Sequence, residues 1–549
     1  MTLHPHSIGP VPEETARIAH AACPKGNPYL HMRDLLGTLY DDQLFAALFP
    51  PQGQPALAPW RLALVSIMQF AEGLSDRQAA EAVRIRIDWK YALNLELSHP
   101  GFDFSVLCEF RARLLVGHAE QLLFETMLDQ FKTHGLLKAR GHQRTDSTHI
   151  LAAIRTLNRL ECVGETMRHA LESLAVVAPV WLLQQIRPEW KERYEHRIQE
   201  YRLPASKADR QALAETIGAD GFSLLVALAD PATPAWLREV PAVEILRQVW
   251  IQQFYASAGP VQWRSNDDLP PAALLIQSPH DVQARYGIKR TTTWTGYKVH
   301  LTETCEEDHP NLITNVATTD ATVPDTELLD PIHAHLAERD LLPAEHLVDA
   351  GYVDAGILVT AASVHHVQVI GPVRADTNWQ ARQGQGFDAA SFVIDWEAKC
   401  VTCPQGKRSA SWKERVDHLG HDVIDIAFGW TDCKCCPVRS TCTQKKKGSR
   451  TMKLLPQAQC LALYAARQRQ RTSAFREQYA KRAGIKGTLS QAVRRCEMRR
   501  SRYIGLARTH LQHLLTAAAL NLVRAVAWLT ESPRAKTRPS RFSALLSAT

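Results

Sequence analysis

The stretch GHQRTDSTHIL, Gly141 to Leu151, follows about 140 residues of helix-patterned chain and changes period abruptly. A strand here puts Arg144, Asp146 and Thr148 on one face and Thr145, Ser147 and His149 on the other. A carboxylate in the middle of a core strand is costly to bury unless it is paired or binds a metal. Asp146 therefore calls for a partner, and both an ion pair and a divalent cation would serve.

Working outward, the chain before this strand reads as helices. Gly73 to Leu93 opens with a capping box, Ser75 with Gln78 three residues on, and Leu74, Ala79, Ala82 and Val83 recur at helical spacing. A helix-turn-helix reader and plain helical packing both fit that pattern. After the strand, Ala152 to about His280 is again helical (ALESLAVVAPVWLLQQI, PAVEILRQVWIQQFYA). TGYKVHLTET (Thr295–Thr304) and NLITNVATTDAT (Asn311–Thr322) alternate well across the turn-rich CEEDHP and read as a hairpin. EHLVDAGYVDAG (Glu345–Gly356) is a short apolar strand ending at Asp349 before a helix, and HHVQVIGPV (His365–Val373) is a fifth strand. The end of a strand in an open α/β sheet is where ligand-binding groups are presented, which singles out Asp349 beside Asp146. Hard carboxylate oxygens suit magnesium or manganese.

Strands and helices together predict a mixed α/β core. The expected organisation is a helical N-terminal domain (1–138) and an α/β domain (139–530). The latter carries a helical insertion (152–280) and a cysteine-rich one (395–447), and a polar tail over 531–549 is expected to be disordered. With 549 residues, more than one module is expected. No apolar run reaches the ~20 residues that span a bilayer. The opening MTLHPHSIGPVPEE has no basic segment followed by an apolar one, so neither a secretory signal nor membrane association is expected.

Of twelve cysteines, six fall between Cys400 and Cys442, which suggests a metal site in a reducing cytoplasm rather than a disulfide framework. Two closely spaced thiol groups, in CVTCPQGKRS and DCKCCPVRSTC, have zinc-knuckle character. The net charge of +7 is unevenly spread: Cys433 to Arg508 holds 20 Lys and Arg against Glu477 and Glu497 alone. That block fits a polyanion, most simply DNA.

TDSTH, SPHDVQARYGIKRTTTWTGYKVHLTET, HLVDAGYVD and CPVRSTCT, in this order, together resemble the DDE transposases of bacterial insertion sequences. The resemblance runs from about Phe49 to Trp528. It implies an RNase H-like catalytic fold behind a helical N-terminal domain, with Asp146 and Asp349 as the first two acids of a metal-binding triad. Two magnesium (or manganese) ions would be held there, about 3.5–4 Å apart, to activate a water or 3′-hydroxyl and stabilise the leaving 3′-oxygen. The implied partners are double-stranded DNA, as the element's terminal inverted repeats and its target, and a second copy of the chain in the DNA complex. A cytoplasmic, nucleoid-associated location goes with them. Among the cysteines the resemblance points to Cys403, Cys433, Cys436 and Cys442 as the zinc set, with Cys400 and Cys435 as spares.

One position departs from the pattern. The family signature Y-x2-R-x3-E-x6-K falls on Tyr479 and Arg482, but its glutamate position holds Lys486 and its last position Val493, with Arg494 beside it. Read as one helix, Tyr479, Arg482 and Lys486 share a face. An ammonium cannot ligate magnesium. Glu477 and Glu497 are the nearby acids, and neither spacing suits an unshifted site. The expected DNA contacts are Lys445, Lys446, Lys447 and Arg450 of QKKKGSR, together with Tyr479, Arg482, Arg494, Arg499, Arg500, Arg502 and Arg508; they should supply affinity rather than sequence choice. Three functions follow: a metal-dependent transposase, a family member that binds DNA without cutting it, and a zinc-bearing DNA-binding protein outside transposition.

Overall fold

The computed structural model describes all residues except 257–258, 384–385, 534–540 and 547–549. Its contacts divide the chain into two compact units. The first comprises Met1–Lys138, Ser147–Val323 and Lys486–Thr549, and the second Ala139–Asp146 and Pro324–Ile485. The opening strand, β1 (His142–Leu151), contributes to both.

In the first unit the N-terminal region is helical as expected. Helix Pro59–Glu72 is almost wholly buried, and helix Asp76–Ile85 begins with the Ser75–Gln78 capping box complete in both directions. Arg111 pairs with Asp76 at 2.5 Å, so helix Asp76–Ile85 is tied to helix Ser105–Val116 by a largely buried charge pair. β2 (Arg285–Lys289), which sequence alternation did not reveal, pairs antiparallel with β3 (Thr292–Thr304). β3 then pairs antiparallel with β4 (Ile313–Asp320), the expected hairpin. The long helix Leu506–Leu529 covers this sheet. Asn521 on it donates to the Ile313 carbonyl and accepts from the Ile313 N–H, both at 2.7 Å, so a side-chain amide satisfies the strand backbone there. Glu303 is fully buried and is held by Arg524 at 3.0 Å and the Thr488 hydroxyl at 2.5 Å.

Helices Arg159–Val177, Lys207–Ala229 and Pro241–Gln253 share a separate core in the same unit. Lys207–Ala229 is long and apolar enough to cross a membrane, which scanning for unbroken apolar runs had missed. Here it packs as a core helix: Trp250 donates to the Gly218 carbonyl at 2.9 Å and fills the notch left by Gly221.

In the second unit the first half of β1 pairs parallel with β5 (Glu345–Leu347), and β5 pairs parallel with β6 (Gln368–Ile370). Both strands were expected. Helix Ala355–Ser363, capped by Asp354, connects them and packs on helix Gln457–Gln470. Beneath β1, Thr145 and His346 share a 2.7 Å hydrogen bond, and His346 meets His333 at 2.9 Å. The cysteine-rich insertion forms more sheet than sequence suggested. β7 (Ser409–Val416), β8 (Asp422–Phe428) and β9 (Thr451–Leu454) make an antiparallel sheet over a small core with Phe392, Ile426 and Met452. The expected disordered tail falls partly outside the described residues; of the rest, Arg541–Leu546 is a short helix.

Candidate active site

The register of the second unit sets the site. Arg144 lies opposite Leu347 in the parallel β1–β5 pair, so the same register carried two residues on brings Asp146 opposite Asp349. Both carboxylates reach one nitrogen: Arg482 Nη2 lies 2.9 Å from Asp146 Oδ2 and 3.6 Å from Asp349 Oδ2. The Arg482 side chain is 10% exposed and that of Asp146 9%, so this is a buried cation between two acids. Arg482 Nε is also buried and has no hydrogen-bond partner. The other oxygen of Asp349 accepts the Gly351 N–H at 2.8 Å.

The segment that presents Arg482 departs from the single helix read from sequence. Helix Ser473–Ala480 gives way to a 3-10 turn, Lys481–Gly484, before helix Ile485–Arg495 begins. Tyr479, Arg482 and Lys486 therefore do not form one continuous α-helical face. Arg144 packs against the break. Its guanidinium donates to the Lys481 carbonyl at 2.5 Å, and a Cβ at Gly484 would stand 2.2 Å from Arg144 Nη1. A side chain at 484 would make that guanidinium shift. Arg144 and Asp146, two residues apart on one strand face, thus hold the turn and its arginine respectively. Tyr479 stacks on Phe475 at 5.5 Å, and burial raises its phenol pKa against the pull of Arg482.

A third acid stands nearby that sequence reading passed over. From the point where a Cβ on Gly351 would lie, Asp349 Oδ1 is 2.9 Å away and Asp325 Oδ2 3.4 Å. Asp325 opens the 3-10 turn Asp325–Leu328, and a lone acid after a proline reads as a helix start. Lys486, Glu477 and Glu497 are all exposed, and Glu497 pairs with Arg502 at 3.8 Å.

The cysteines gather elsewhere in this unit. Cys403, Cys433, Cys436 and Cys442 line one cavity of about 290 Å³, with the exposed Cys435 also along it, whereas Cys400 sits on strand Cys400–Thr402. Burial pushes the Cys442 thiol up, and the other three cysteines add to that. Among the described residues, no three His, Cys, Asp or Glu side chains are gathered closely enough to hold a metal ion.

Several of the arginines expected on DNA also make contacts within the protein. Arg482 is taken by the aspartates, Arg499 donates to Thr148 and the His149 carbonyl, and Arg502 to the Leu74 carbonyl. Arg450 donates to the Cys442 carbonyl and lies over Phe392. The acceptors of Arg450, Arg499 and Arg502 are only partly buried. Lys445, Lys446, Lys447, Arg494, Arg500 and Arg508 remain exposed.

A family model described as a transposase DDE domain matches residues 402–526, and one described as a transposase domain matches residues 18–113. Together these two matches support a DDE-type transposase of an insertion element. The first match takes in Arg482 and Lys486 and lies C-terminal to both aspartates. No curated protein matches the chain. The mixed α/β architecture of this transposase is consistent with an RNase H-like fold.

Proposed function

We propose that this transposase binds the ends of its element and cleaves and joins DNA strands at Asp146 and Asp349. One observation carries the reading: two acids from neighbouring parallel strands converge on a single buried cation, Arg482. A carboxylate pair that draws in a guanidinium has the charge and the hard oxygen donors a divalent ion needs. When bound, magnesium or manganese supplies Lewis acidity at the phosphorus-bound oxygens and a more acidic water or 3′-hydroxyl. The chain's own residues do the rest. β1 and β5 fix the two carboxylates, and Arg144 packs against the turn beside them.

The exposed Lys445, Lys446, Lys447, Arg494, Arg500 and Arg508 are proposed to contact backbone phosphates, adding affinity without base choice. Cys403, Cys433, Cys436 and Cys442 are proposed as a structural zinc set, because four thiols along one cavity match the donor chemistry of such a site. Two copies would hold the two element ends, and the protein would act in the cytoplasm at the nucleoid.

A second reading, binding without cleavage, is favoured by Lys486 at the glutamate position of the family signature. Nicking of DNA that carries the element ends, with magnesium or chelator, separates the two. Magnesium-dependent nicking that Asp146→Asn abolishes, at unchanged DNA affinity, supports the enzyme. Binding without nicking, restored by Lys486→Glu, supports the second reading.

A further inference from the structure

We infer that helix Asp76–Ile85 reads base edges of duplex DNA through Arg77 and Arg84, while Arg494 and Arg500 grip the phosphates beside it. The inference rests on the proposed binding of element ends, and it names the surface that selects them.

The helix sits in the setting such a reader needs. Helix Pro59–Glu72 is almost wholly buried, and the three residues Gly73 to Ser75 join it to helix Asp76–Ile85. Both pack on helix Ser105–Val116. Gly73 supplies the φ of +71° at the turn. Ala79, Ala80, Ala82 and Val83 face inward, which leaves Arg77, Gln78, Glu81, Arg84 and Ile85 exposed along one stripe.

A polar stripe alone would be a solvated face, but this one is ordered for contact. The Arg77 guanidinium lies 4.7 Å over the Phe104 ring, a contact that steadies the fork and uses none of its N–H donors. Arg84 is steadied by Glu81 at 2.5 Å, with both side chains about half exposed. Seven residues separate the two arginines, about 10.5 Å of helix, which is roughly three base-pair steps. Ile85, 64% exposed, adds an apolar group of the kind that meets a thymine methyl.

A second observation points to duplex DNA as the occupant. The basic run near the C-terminus is fastened to the turn that precedes this helix. Arg495 donates to the Ala71 carbonyl at 2.9 Å from 424 positions away, and its own carbonyl lies 3.3 Å from where a Cβ on Gly73 would stand. Arg502 donates to the Leu74 carbonyl at 2.9 Å and lies over the Phe70 ring. These contacts carry the exposed Arg494 and Arg500 to the side of the stripe. Glu497, the one acid in that run, is offset by Arg502 at 3.8 Å. Base-reading forks bordered by cations match a duplex, whose bases lie between two rows of phosphates.

The test is equilibrium binding of the full-length protein, in chelator so that nothing is cut, to two duplexes of equal length. One carries the terminal inverted repeat of the element, and the other holds the same bases shuffled. The wild type is expected to prefer the first at least about 100-fold. Arg77→Lys and Arg84→Lys keep the charge and lose the fork. Each is expected to weaken end binding about tenfold or more while shuffled-duplex affinity stays within about threefold. Arg494→Ala and Arg500→Ala are expected to weaken both duplexes alike and to lower the salt slope by about 1 each. Lysine variants that lose nothing, or lose equally on both duplexes, beside a wild type that discriminates would overturn the assignment of this helix and leave end binding standing. Wild-type affinity and slope in Arg494→Ala and Arg500→Ala would overturn the phosphate contacts. A wild type that does not discriminate between the duplexes would overturn end binding and the assignment together.

Discussion

Replacing Arg482 by glutamine should destabilise the second unit locally and make that unit depend on divalent cations. In the wild type one guanidinium nitrogen serves two acids, at 2.9 and 3.6 Å, and Asp146 is 9% exposed. Removing one partner of a buried pair costs about 3–5 kcal/mol. A second route gives the same scale. Two carboxylate oxygens at 2.9 and 3.6 Å from one nitrogen lie at most about 6.5 Å apart, and at an effective dielectric near 20 their repulsion is at least roughly 2.5 kcal/mol. The assay is native-state hydrogen exchange of the backbone of His142–Asp146 and Glu345–Leu347 in chelator and in magnesium. In chelator, protection there should fall about 100-fold in Arg482→Gln, with helices of the first unit unchanged. Magnesium should restore it, because an ion at 100 times its dissociation constant contributes about 2.7 kcal/mol. Equal protection of variant and wild type in chelator would refute the claim that Arg482 neutralises the aspartates.

Three further outcomes are expected. His333 is buried and its pKa is lowered to about 4 by desolvation, with the nearby His365 adding to it. The fold therefore favours neutral His333, and its contribution is complete above pH ~6.5 and lost as pH falls towards 4, on the order of 3 kcal/mol at most; stability of His333→Gln should vary less with pH across that window. Arg524→Met leaves Glu303 buried without its cation and should cost about 3–5 kcal/mol by chemical denaturation, much of it regained in the Arg524→Met, Glu303→Met double variant. Changing Lys445, Lys446 and Lys447 to alanine should lower the salt slope of DNA binding by about 2–3, whereas an unchanged slope would remove them from the interface.

The sequence disclosed those parts of the site that are local patterns. Asp146 stood out because a charge interrupts a core strand, and Asp349 because it ends an apolar one; in the structure both reach Arg482. The Ser75–Gln78 box and the β3–β4 hairpin were equally legible, since their signals span only a few residues. What sequence missed depends on long-range partners. Arg482 looked like a DNA contact because nothing in its neighbourhood names Asp146, 336 positions away, as its acceptor. The break at Lys481–Gly484 was hidden because the residue packed against it, Arg144, lies in the first strand of the core. The sheet formed by β7, β8 and β9 was obscured by dense charge, although VIDIAF alternates well enough to have shown it.

The most direct test of the central claim is strand cleavage on a plasmid that carries the element, compared between wild type and Asp349→Asn at matched DNA occupancy. The account predicts nicking at the element ends that requires magnesium or manganese, and a loss of at least about 100-fold in Asp349→Asn with DNA affinity unchanged. Cleavage by Asp349→Asn at the wild-type rate, or wild-type cleavage undiminished in chelator, would contradict it.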